Sequence, residues 1–252
     1  MNRYSDGVSA PSVGRVVSGL RWRADAMRNR LRELPADGLS DHLRCRVELG
    51  FALPPLDTMQ NYHRLKFLHD CIVRFAPPTG AALEIGCFKC TSTVFIAHAC
   101  ARAHVSRIFA IDLFTGTPSW GTTVDYLDDA QRKLARYGLA ERVTLIRSHS
   151  LSYPWTEPIA ALHIDADHAY EAVWHDIQKY TPFIVENGIV VFDDYDVSHA
   201  GVTRAVHRLL DEDPTFEVAG ANYQGVEYGS LCLRRTRPPN SSQKEPTETV
   251  RT

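Results

Sequence analysis

The sequence predicts a doubly wound α/β fold on a seven-stranded, mostly parallel sheet. Short apolar runs alternate with segments of helical periodicity from residue 56 to residue 211. Strands that alternate with helices form βαβ units, which give a parallel sheet covered on both faces. The two last apolar runs, at residues 216–219 and 228–233, have only a glycine-bearing turn between them. They are therefore predicted to pair antiparallel at the end of the chain.

The alternating elements follow one another in a regular order. The first five strands are predicted at residues 81–87, 107–113, 143–147, 161–166 and 189–194. Helices are predicted at residues 56–75, 91–104, 124–137, 170–183 and 199–211. Pro77 and Pro78 end the first helix, Thr91 or Ser92 is expected to cap the second, and Gly138 closes the third.

The chain divides into three parts by composition. Residues 1–55 are predicted to be mobile at first and then helical, as an N-terminal extension. Residues 56–235 carry the whole alternating pattern and form one domain. Residues 236–252 are polar and rich in proline, and are predicted to be a disordered tail.

Composition excludes several classes of protein. The chain has 252 residues, and 28 basic against 30 acidic side chains give a formal net charge of −2. A nucleic-acid partner is not expected without a basic excess, and no apolar run is long enough for a membrane span. Without an apolar leader the expected location is cytoplasmic, where the six cysteines stay free thiols. Cys87 and Cys90 match C-x-x-C, and a redox or metal role for them is an open alternative.

Acidic residues follow the first two strands at the edge where such sheets bind ligands. Glu84 and Gly86 end the first strand, and Asp112 ends the second. A glycine lets a ligand approach the backbone, and a carboxylate can accept hydrogen bonds from both hydroxyls of a ribose. Each acid alone could equally be a helix cap or a solvated strand end, but together they favour a nucleoside ligand. The missing later glycines argue against a dinucleotide.

Three more acids end the fourth and fifth strands. Asp165 ends the fourth strand, and Asp193 and Asp194 end the fifth, 28 residues later (193 − 165). This spacing is one helix plus turns, so the carboxylates should meet at one edge. Their repulsion would be relieved by a divalent cation, and oxygen ligands suit Mg²⁺ or Mn²⁺. The alternative is that Asp193 and Asp194 cap the next helix or pair with Arg204.

Two motifs resemble the cofactor-binding motifs of class I methyltransferases, which use S-adenosylmethionine (SAM). These are LEIGCFKCTST, from Leu83, and FAIDLF, from Phe109. The resemblance implies a Rossmann-like methyltransferase fold, with Glu84 and Gly86 near the methionine part of SAM and Asp112 on the ribose. His149 and Ser150 stand where such proteins often have residues beside the adenine.

A second pair of motifs resembles metal-dependent O-methyltransferases of the catechol and macrocin types. These are IDADHAYEAVWHD and GIVVFDDYD, and the likeness covers about residues 60–235. It implies that Asp165, Asp193 and Asp194 hold the metal and that His168 is the general base. It further implies a hydroxylated small molecule as acceptor, with a sugar of a secondary metabolite as one candidate. Such enzymes are often homo-oligomers.

Other functions stay open. The chain could be a SAM methyltransferase without a metal, or a SAM-binding protein without activity. His163, Asp165 and a distant His207 have the residue types of an iron facial triad, although that chemistry usually occurs in β-sandwiches. Acceptor specificity is expected to depend on residues 1–55 and on the loops at 114–123 and 196–203, whose sequences indicate no particular acceptor.

Overall fold

A computed structural model describes residues 38–58, 60–115, 124–196, 198–222 and 229–238 of the chain. Residues 1–37, which include the segment predicted to be mobile and the start of the predicted helical part, lie outside these residues. So do residues 239–252 of the predicted tail, most of the loop at 114–123, and residue 197 in the loop at 196–203. In the part described, no helix is both long enough and apolar enough to cross a membrane.

The chain forms two compact units, Met1–Pro55 and Leu56–Thr252. In the first unit, helix α1 (Gly38–Arg44) continues as one π-helical turn, Cys45–Leu49. Gly50 ends this turn in a left-handed conformation, and its N–H donates to the carbonyl of Cys45. Helical structure is therefore present in this unit between residues 38 and 49.

The second unit is built on one seven-stranded sheet with the order β3-β2-β1-β4-β5-β7-β6. Its strands are β1 (Ala81–Ile85), β2 (Arg107–Asp112), β3 (Val143–Arg147), β4 (Ile159–Ile164), β5 (Ile184–Phe192), β6 (Phe216–Asn222) and β7 (Ser230–Arg235). The first five strands are parallel, and β7 pairs antiparallel with both β5 and β6. The predicted fold class is confirmed, including the antiparallel final hairpin.

One helix precedes the sheet in sequence, and the others lie between successive strands. They are α2 (Tyr62–Phe75), α3 (Thr91–Ala103), α4 (Leu127–Arg136), α5 (Tyr170–Tyr180) and α6 (Ala200–Glu212), with a short 3-10 helix at Thr181–Phe183. The core includes β1 and β4, which are buried along their whole length. These two strands lie in the middle of the sheet, where apolar runs without polar alternation are expected.

Several predicted boundaries need correction. Helix α2 begins at Tyr62, not at residue 56, because the Asn61 side chain accepts a hydrogen bond from the Arg64 N–H and caps the helix there. Strands β1, β2, β4 and β5 each end one or two residues earlier than predicted. The acids thus stand just after β4 and β5, where the backbone leaves the sheet.

The predicted cap of α3 is wrong. Cys90 precedes the helix in a left-handed conformation and makes no side-chain cap. The Thr91 hydroxyl is used elsewhere, since it donates to Asp57 and accepts from Lys133. By contrast, Gly138 follows α4 with φ of +67°, as expected of a C-terminal glycine.

Gly86 is required by the packing of two strand ends. Its φ is +86°, and its N–H donates to the carbonyl of Ile111. A Cβ at this position would lie 2.0 Å from the carbonyl oxygen of Asp165. A side chain at position 86 would therefore push apart the ends of β1 and β4, next to Asp165.

Gly86→Ala should lower the free energy of unfolding by about 3 kcal/mol or more, because left-handed strain adds to a clash with backbone. Gly138→Ala is the matched control, since its Cβ would meet nothing within 4 Å. This control should lose only about 1–2 kcal/mol from strain. Urea unfolding of both variants measures the difference, and equal losses would contradict the role of the Asp165 contact.

Candidate active site

The carboxyl ends of the central strands are joined by backbone hydrogen bonds beyond the strands themselves. The Asp165 N–H donates to the carbonyl of Ile85 at 2.9 Å, and the Asp193 N–H donates to that of Ile164 at 3.1 Å. Because β4 and β5 pair in parallel with Ile164 opposite Phe192, Asp165 and Asp193 stand side by side. The expected meeting of these two acids at one edge is confirmed by this register.

Arg64 on α2 bridges the two consecutive aspartates. Its Nε donates to Asp193 Oδ1 at 2.8 Å, and its Nη2 donates to Asp194 Oδ1 at 2.8 Å and also contacts Asp193 Oδ1. The Arg64 side chain is only 5% exposed. Asp194 has φ of +54°, a left-handed conformation that lets two successive side chains reach one guanidinium. Arg64 is therefore the positively charged side chain that pairs with Asp193 and Asp194. The alternative pairing of these acids with Arg204 is wrong.

Two neutral groups complete the contacts of Asp193. The Gln60 amide nitrogen donates to Asp165 Oδ2 at 2.8 Å and to Asp193 Oδ2, and the Ser230 hydroxyl donates to Asp193 Oδ1 at 2.7 Å. Asp193 is 3% exposed, and both of its oxygens accept hydrogen bonds from the chain. We call Asp165, Asp193 and Asp194 the acid cluster. Within it, Asp193 is held on every side by protein groups.

His168 stands at the open side of the acid cluster. Its Nε2 contacts Asp194 Oδ2 at 2.8 Å, its side chain is 40% exposed, and its ring packs edge-on against His199 with centroids 4.6 Å apart. The hydrogen bond to Asp194 raises the pKa of His168, against the opposing effect of burial. In the neutral ring, an N–H on Nε2 leaves Nδ1 as the basic atom. Asp194 can thus orient His168 as carboxylates orient histidine bases in other enzymes.

A buried pair of His163 and Glu84 lies behind the acid cluster. His163 Nδ1 donates to Glu84 Oε1 at 3.1 Å, and the Thr93 hydroxyl donates to Glu84 Oε2. Glu84 has no exposed surface. Burial disfavours the charged form of His163, but Glu84 outweighs it and raises the pKa of the imidazole. This group forms the floor between β1, β4 and α3.

The acid cluster carries more negative charge than Arg64 can balance. Burial and the neighbouring Asp193 raise the pKa of Asp165 to about 8. Burial acts the same way on Asp194, but His168 and Arg64 outweigh it, and the pKa of Asp194 lies below its ordinary value. The side of the cluster nearest Asp165 is therefore where added positive charge would stabilise the fold most.

The donor set fits a divalent cation at one side of the cluster. Ligand atoms of Asp165, His168 and Asp194 lie within 4.8 Å of one another. In addition, the buried Gln60 Oε1 has no hydrogen-bond partner among the described residues. Carboxylate and amide oxygens are the atoms that Mg²⁺ and Mn²⁺ prefer. Asp193 also groups with His163 and Asp165, but that histidine is taken by Glu84.

The predicted cofactor residues lie on the other half of the same edge. The Asp112 carboxylate accepts the N–H of Phe88 at 2.8 Å and that of Phe114 at 2.7 Å, so it ties together the loops after β1 and β2. Each of its oxygens keeps a second lone pair for a ligand hydroxyl. Glu84, in contrast, directs its carboxylate into the floor. Contacts of Glu84, Gly86 and Asp112 with SAM stay predictions.

The loops at this edge hold non-glycine residues in left-handed conformations. Phe88, Cys90 and Phe114 have φ of +46°, +61° and +56°. Phe88 packs edge-on against Tyr126 with centroids 4.7 Å apart, while Cys90 and Phe114 are fully buried. Cys90 is where the resembled motif has a glycine, and its backbone here adopts the conformation that glycine favours. Strained backbone of this kind concentrates at ligand-binding edges.

The loop after β3 is anchored by α5. The Ser150 carbonyl accepts hydrogen bonds from the Tyr180 hydroxyl at 2.6 Å and from Lys179 Nζ at 2.7 Å. His149 is exposed, and its Nδ1 accepts the Leu151 N–H at 3.2 Å. Both residues lie at the end of the strand beside β2, and their contact with adenine stays a prediction.

The structure argues against two alternative sites, the C-x-x-C pair and the iron triad. The six cysteines are buried free thiols, and burial raises the pKa of Cys87 well above its ordinary value. A reactive thiolate is therefore disfavoured there. His207 pairs with the Tyr195 hydroxyl at 2.9 Å, and His163 is committed to Glu84. The described geometry thus does not assemble the iron triad.

Sequence reasoning did not identify Gln60, Arg64 or Ser230. One signal was available, since Arg64 lies on the side of α2 that also carries the buried Leu65 and Leu68. An arginine among buried apolar positions requires a buried acid as partner. The identity of that partner could not be obtained from helical spacing.

Comparison with known proteins gives one family match. Residues 83–195 match a family described as a methyltransferase domain. This range runs from within β1 to the end of β5 and includes all three members of the acid cluster. No curated protein sequence matches the chain.

Solved structures with the same fold are numerous. The O-methyltransferase NovP is 17% identical, with a TM-score of 0.58, covering 88% of this chain and 99% of its own. TomG from Streptomyces achromogenes, an O-methyltransferase of tomaymycin synthesis solved with SAM, is 17% identical (TM-score 0.51; 85% and 98% covered). An rRNA methylase from Streptococcus thermophilus is 15% identical (TM-score 0.50; 71% and 99% covered). At these identities the likeness shows a shared fold.

Arg64→Met should lower the free energy of unfolding by about 3–5 kcal/mol, because it leaves buried carboxylates without their cation. Lys66→Met is the matched control, since Lys66 forms an exposed pair with Asp70 on the same helix. That change should stay within about 0.5 kcal/mol. Chemical denaturation without divalent ions measures both variants, and a small loss for Arg64→Met would contradict the compensating role.

Proposed function

We propose that this chain is a SAM-dependent methyltransferase with the class I fold, and that it methylates a hydroxyl oxygen of a small molecule with the help of a divalent cation. The observation that carries the proposal is the acid cluster, which lies beside a predicted nucleoside edge and has His168 on its open side. A methyl donor and a deprotonated oxygen are the two reactants of such a transfer. The edge offers a separate region for each.

The nucleoside region supports SAM as methyl donor. Asp112 follows β2, and the acid cluster follows β4 and β5, with β1 between them. Strands are about 4.8 Å apart, so Asp112 and Asp165 are separated by roughly 10 Å along the edge. A ribose on Asp112 would leave the methionine part of SAM over Gly86, with His149 and Ser150 on the adenine side. The methyl group would then point toward the acid cluster.

The resemblance to metal-dependent O-methyltransferases implies that Mg²⁺ or Mn²⁺ would be held at the acid cluster, by Asp165, Asp193 and Asp194. A bound divalent cation supplies positive charge that lowers the pKa of a hydroxyl nearby. The chain contributes the orientation of that site, since Arg64 and Gln60 fix the carboxylates from the side of α2.

His168 is the proposed general base. Asp194 holds its Nε2, so Nδ1 takes the proton when the O–H bond of the acceptor breaks. The acceptor oxygen forms a bond to the methyl carbon of SAM, and the sulfur–carbon bond breaks. The electron pair of that bond returns to sulfur, which gives neutral S-adenosylhomocysteine. Base catalysis by a positioned histidine typically contributes 10²- to 10⁴-fold in rate.

A second candidate keeps SAM but uses no metal. Arg64 favours it, because a guanidinium already bridges Asp193 and Asp194. In that case Arg64 would provide the positive charge, and His168 would act alone on the acceptor. The raised pKa of Asp165 argues for a further cation and so for the first candidate.

The acceptor is proposed to be a hydroxylated small molecule, with a sugar of a secondary metabolite as one candidate. TomG, which shares the fold, is an O-methyltransferase of tomaymycin synthesis. Another neighbour is an rRNA methylase, but the net charge of −2 gives this chain no basic excess for a nucleic-acid backbone. A cytoplasmic homo-oligomer is the proposed working state.

Metal removal separates the two candidates. Methyl transfer from SAM to a panel of hydroxylated acceptors should stop in EDTA and return when Mg²⁺ or Mn²⁺ is added in excess. The measurement is the formation of S-adenosylhomocysteine. Full activity in the chelator would reject the cation and favour the second candidate.

His168→Ala should lower kcat by about 10²- to 10⁴-fold, because it removes the proton acceptor. Its affinity for S-adenosylhomocysteine, measured by calorimetry, should stay close to that of the unaltered protein. His175→Ala, on the exposed side of α5, is the control and should change neither quantity. An unaltered kcat in His168→Ala would remove this residue as the base.

A further inference from the structure

We propose that Arg64 removes Asp193 from the metal's ligands, so that one divalent cation binds through Asp165 and Asp194 alone among the three acids. This inference rests on the proposed metal-assisted function and refines its ligand set. It differs from the expectation that all three acids are ligands. Arg64 then acts as a positioning residue, which defines where the cation can bind.

The first argument is the saturation of Asp193. Its Oδ1 accepts from Arg64 Nε at 2.8 Å and from the Ser230 hydroxyl at 2.7 Å, and its Oδ2 accepts from the Gln60 amide. A carboxylate oxygen has two lone pairs, and those of Oδ1 are both used. Each oxygen of Asp194, by contrast, accepts one described hydrogen bond, from Arg64 or from His168, and keeps a lone pair for a cation.

The second argument is the position of the Gln60 amide. Its Nε2 donates to both Asp165 Oδ2 and Asp193 Oδ2, so an NH₂ group already lies between these two carboxylates. A cation bridging Asp165 and Asp193 would meet these amide hydrogens. Asp165, Asp194 and His168, in contrast, have ligand atoms within 4.8 Å of one another, and we place the cation among these.

The third argument is charge. With all three carboxyl groups ionised, as they would be around a bound cation, the acid cluster carries three negative charges, and the Arg64 guanidinium balances one of them. Two negative charges remain, which one divalent cation neutralises. Gln60, whose amide nitrogen contacts Asp165, also has a buried Oε1 without a hydrogen-bond partner among the described residues. The chain therefore has the charge and the donors for a single cation.

The test is Mn²⁺ binding, followed by the electron paramagnetic resonance signal of the free ion, in the full-length protein. The double variant Arg64→Gln/Asp193→Asn removes one charge of each sign and leaves Asp165 and Asp194 intact. Its affinity for Mn²⁺ should fall by no more than about tenfold, which is the smallest loss typical of residues that hydrogen-bond to metal ligands without binding the metal. Asp165→Asn and Asp194→Asn should each lose more than about 100-fold, beyond the upper end for such residues.

The matched control is Lys66→Gln/Asp70→Asn, which removes an exposed pair from the same helix and should leave Mn²⁺ affinity unaltered. A loss in Arg64→Gln/Asp193→Asn as large as that in Asp165→Asn would overturn the inference, since Asp193 would then be a ligand. If wild-type protein transfers methyl groups but binds no Mn²⁺, the metal-assisted function itself fails.

A measurement without variants tests the same point should the double variant not fold. Crystals of the unaltered protein grown with Mn²⁺ locate the ion by its anomalous scattering. We expect the ion within coordination distance of Asp165 and Asp194, and Arg64 still on Asp193. An ion bound to Asp193, with Arg64 displaced, would overturn the inference and leave the proposed function standing.

Discussion

The structure depends on the compensation of three carboxylates that the sheet forces together. Parallel pairing of β4 and β5 places Asp165 beside Asp193, and the left-handed turn at Asp194 adds a third acid at the same edge. Like charges at such distances cannot all stay ionised without partners. Arg64 and His168 surround the acid cluster for this reason. Neutralising these carboxylates is therefore required both for the stability of the fold and for the proposed chemistry.

This requirement makes α2 part of the site although it precedes the whole sheet in sequence. Arg64 and Asp193 are 129 residues apart, and the Asn61 cap determines where the helix begins in front of the strand ends. Behind the acids, the buried pair of His163 and Glu84 joins β4 to β1. The acids are thus fixed from the front by a helix and from behind by the sheet, and this rigidity favours a site that must orient reactants.

The sequence predicted the parts of this arrangement that follow from spacing. The interval from Asp165 to Asp193 fits one crossover helix, and parallel strands bring their carboxyl ends to one edge. The partners could not be predicted, because helical periodicity does not say how α2 is rotated over the sheet or which acid Arg64 meets. Strand ends were placed too late, since an apolar run does not reveal where the backbone turns away. The predicted helix-capping role of Thr91 is wrong because its hydroxyl is bound by Lys133 and Asp57 instead.

The left-handed residues at the ligand edge bear on how this sequence can vary. Glycine at position 88, 90 or 114 would relieve local strain, and it would also widen the range of conformations open to the unfolded chain. The side chains at these positions keep the backbone strain but fill space between the loops and the core, and Phe114 has no exposed surface. These positions should accept other side chains of similar volume more readily than glycine. The conformation of these loops therefore depends on the packing of their buried side chains. A mutant library at these positions should keep the side-chain volume, and glycine should be selected less often than residues of similar size.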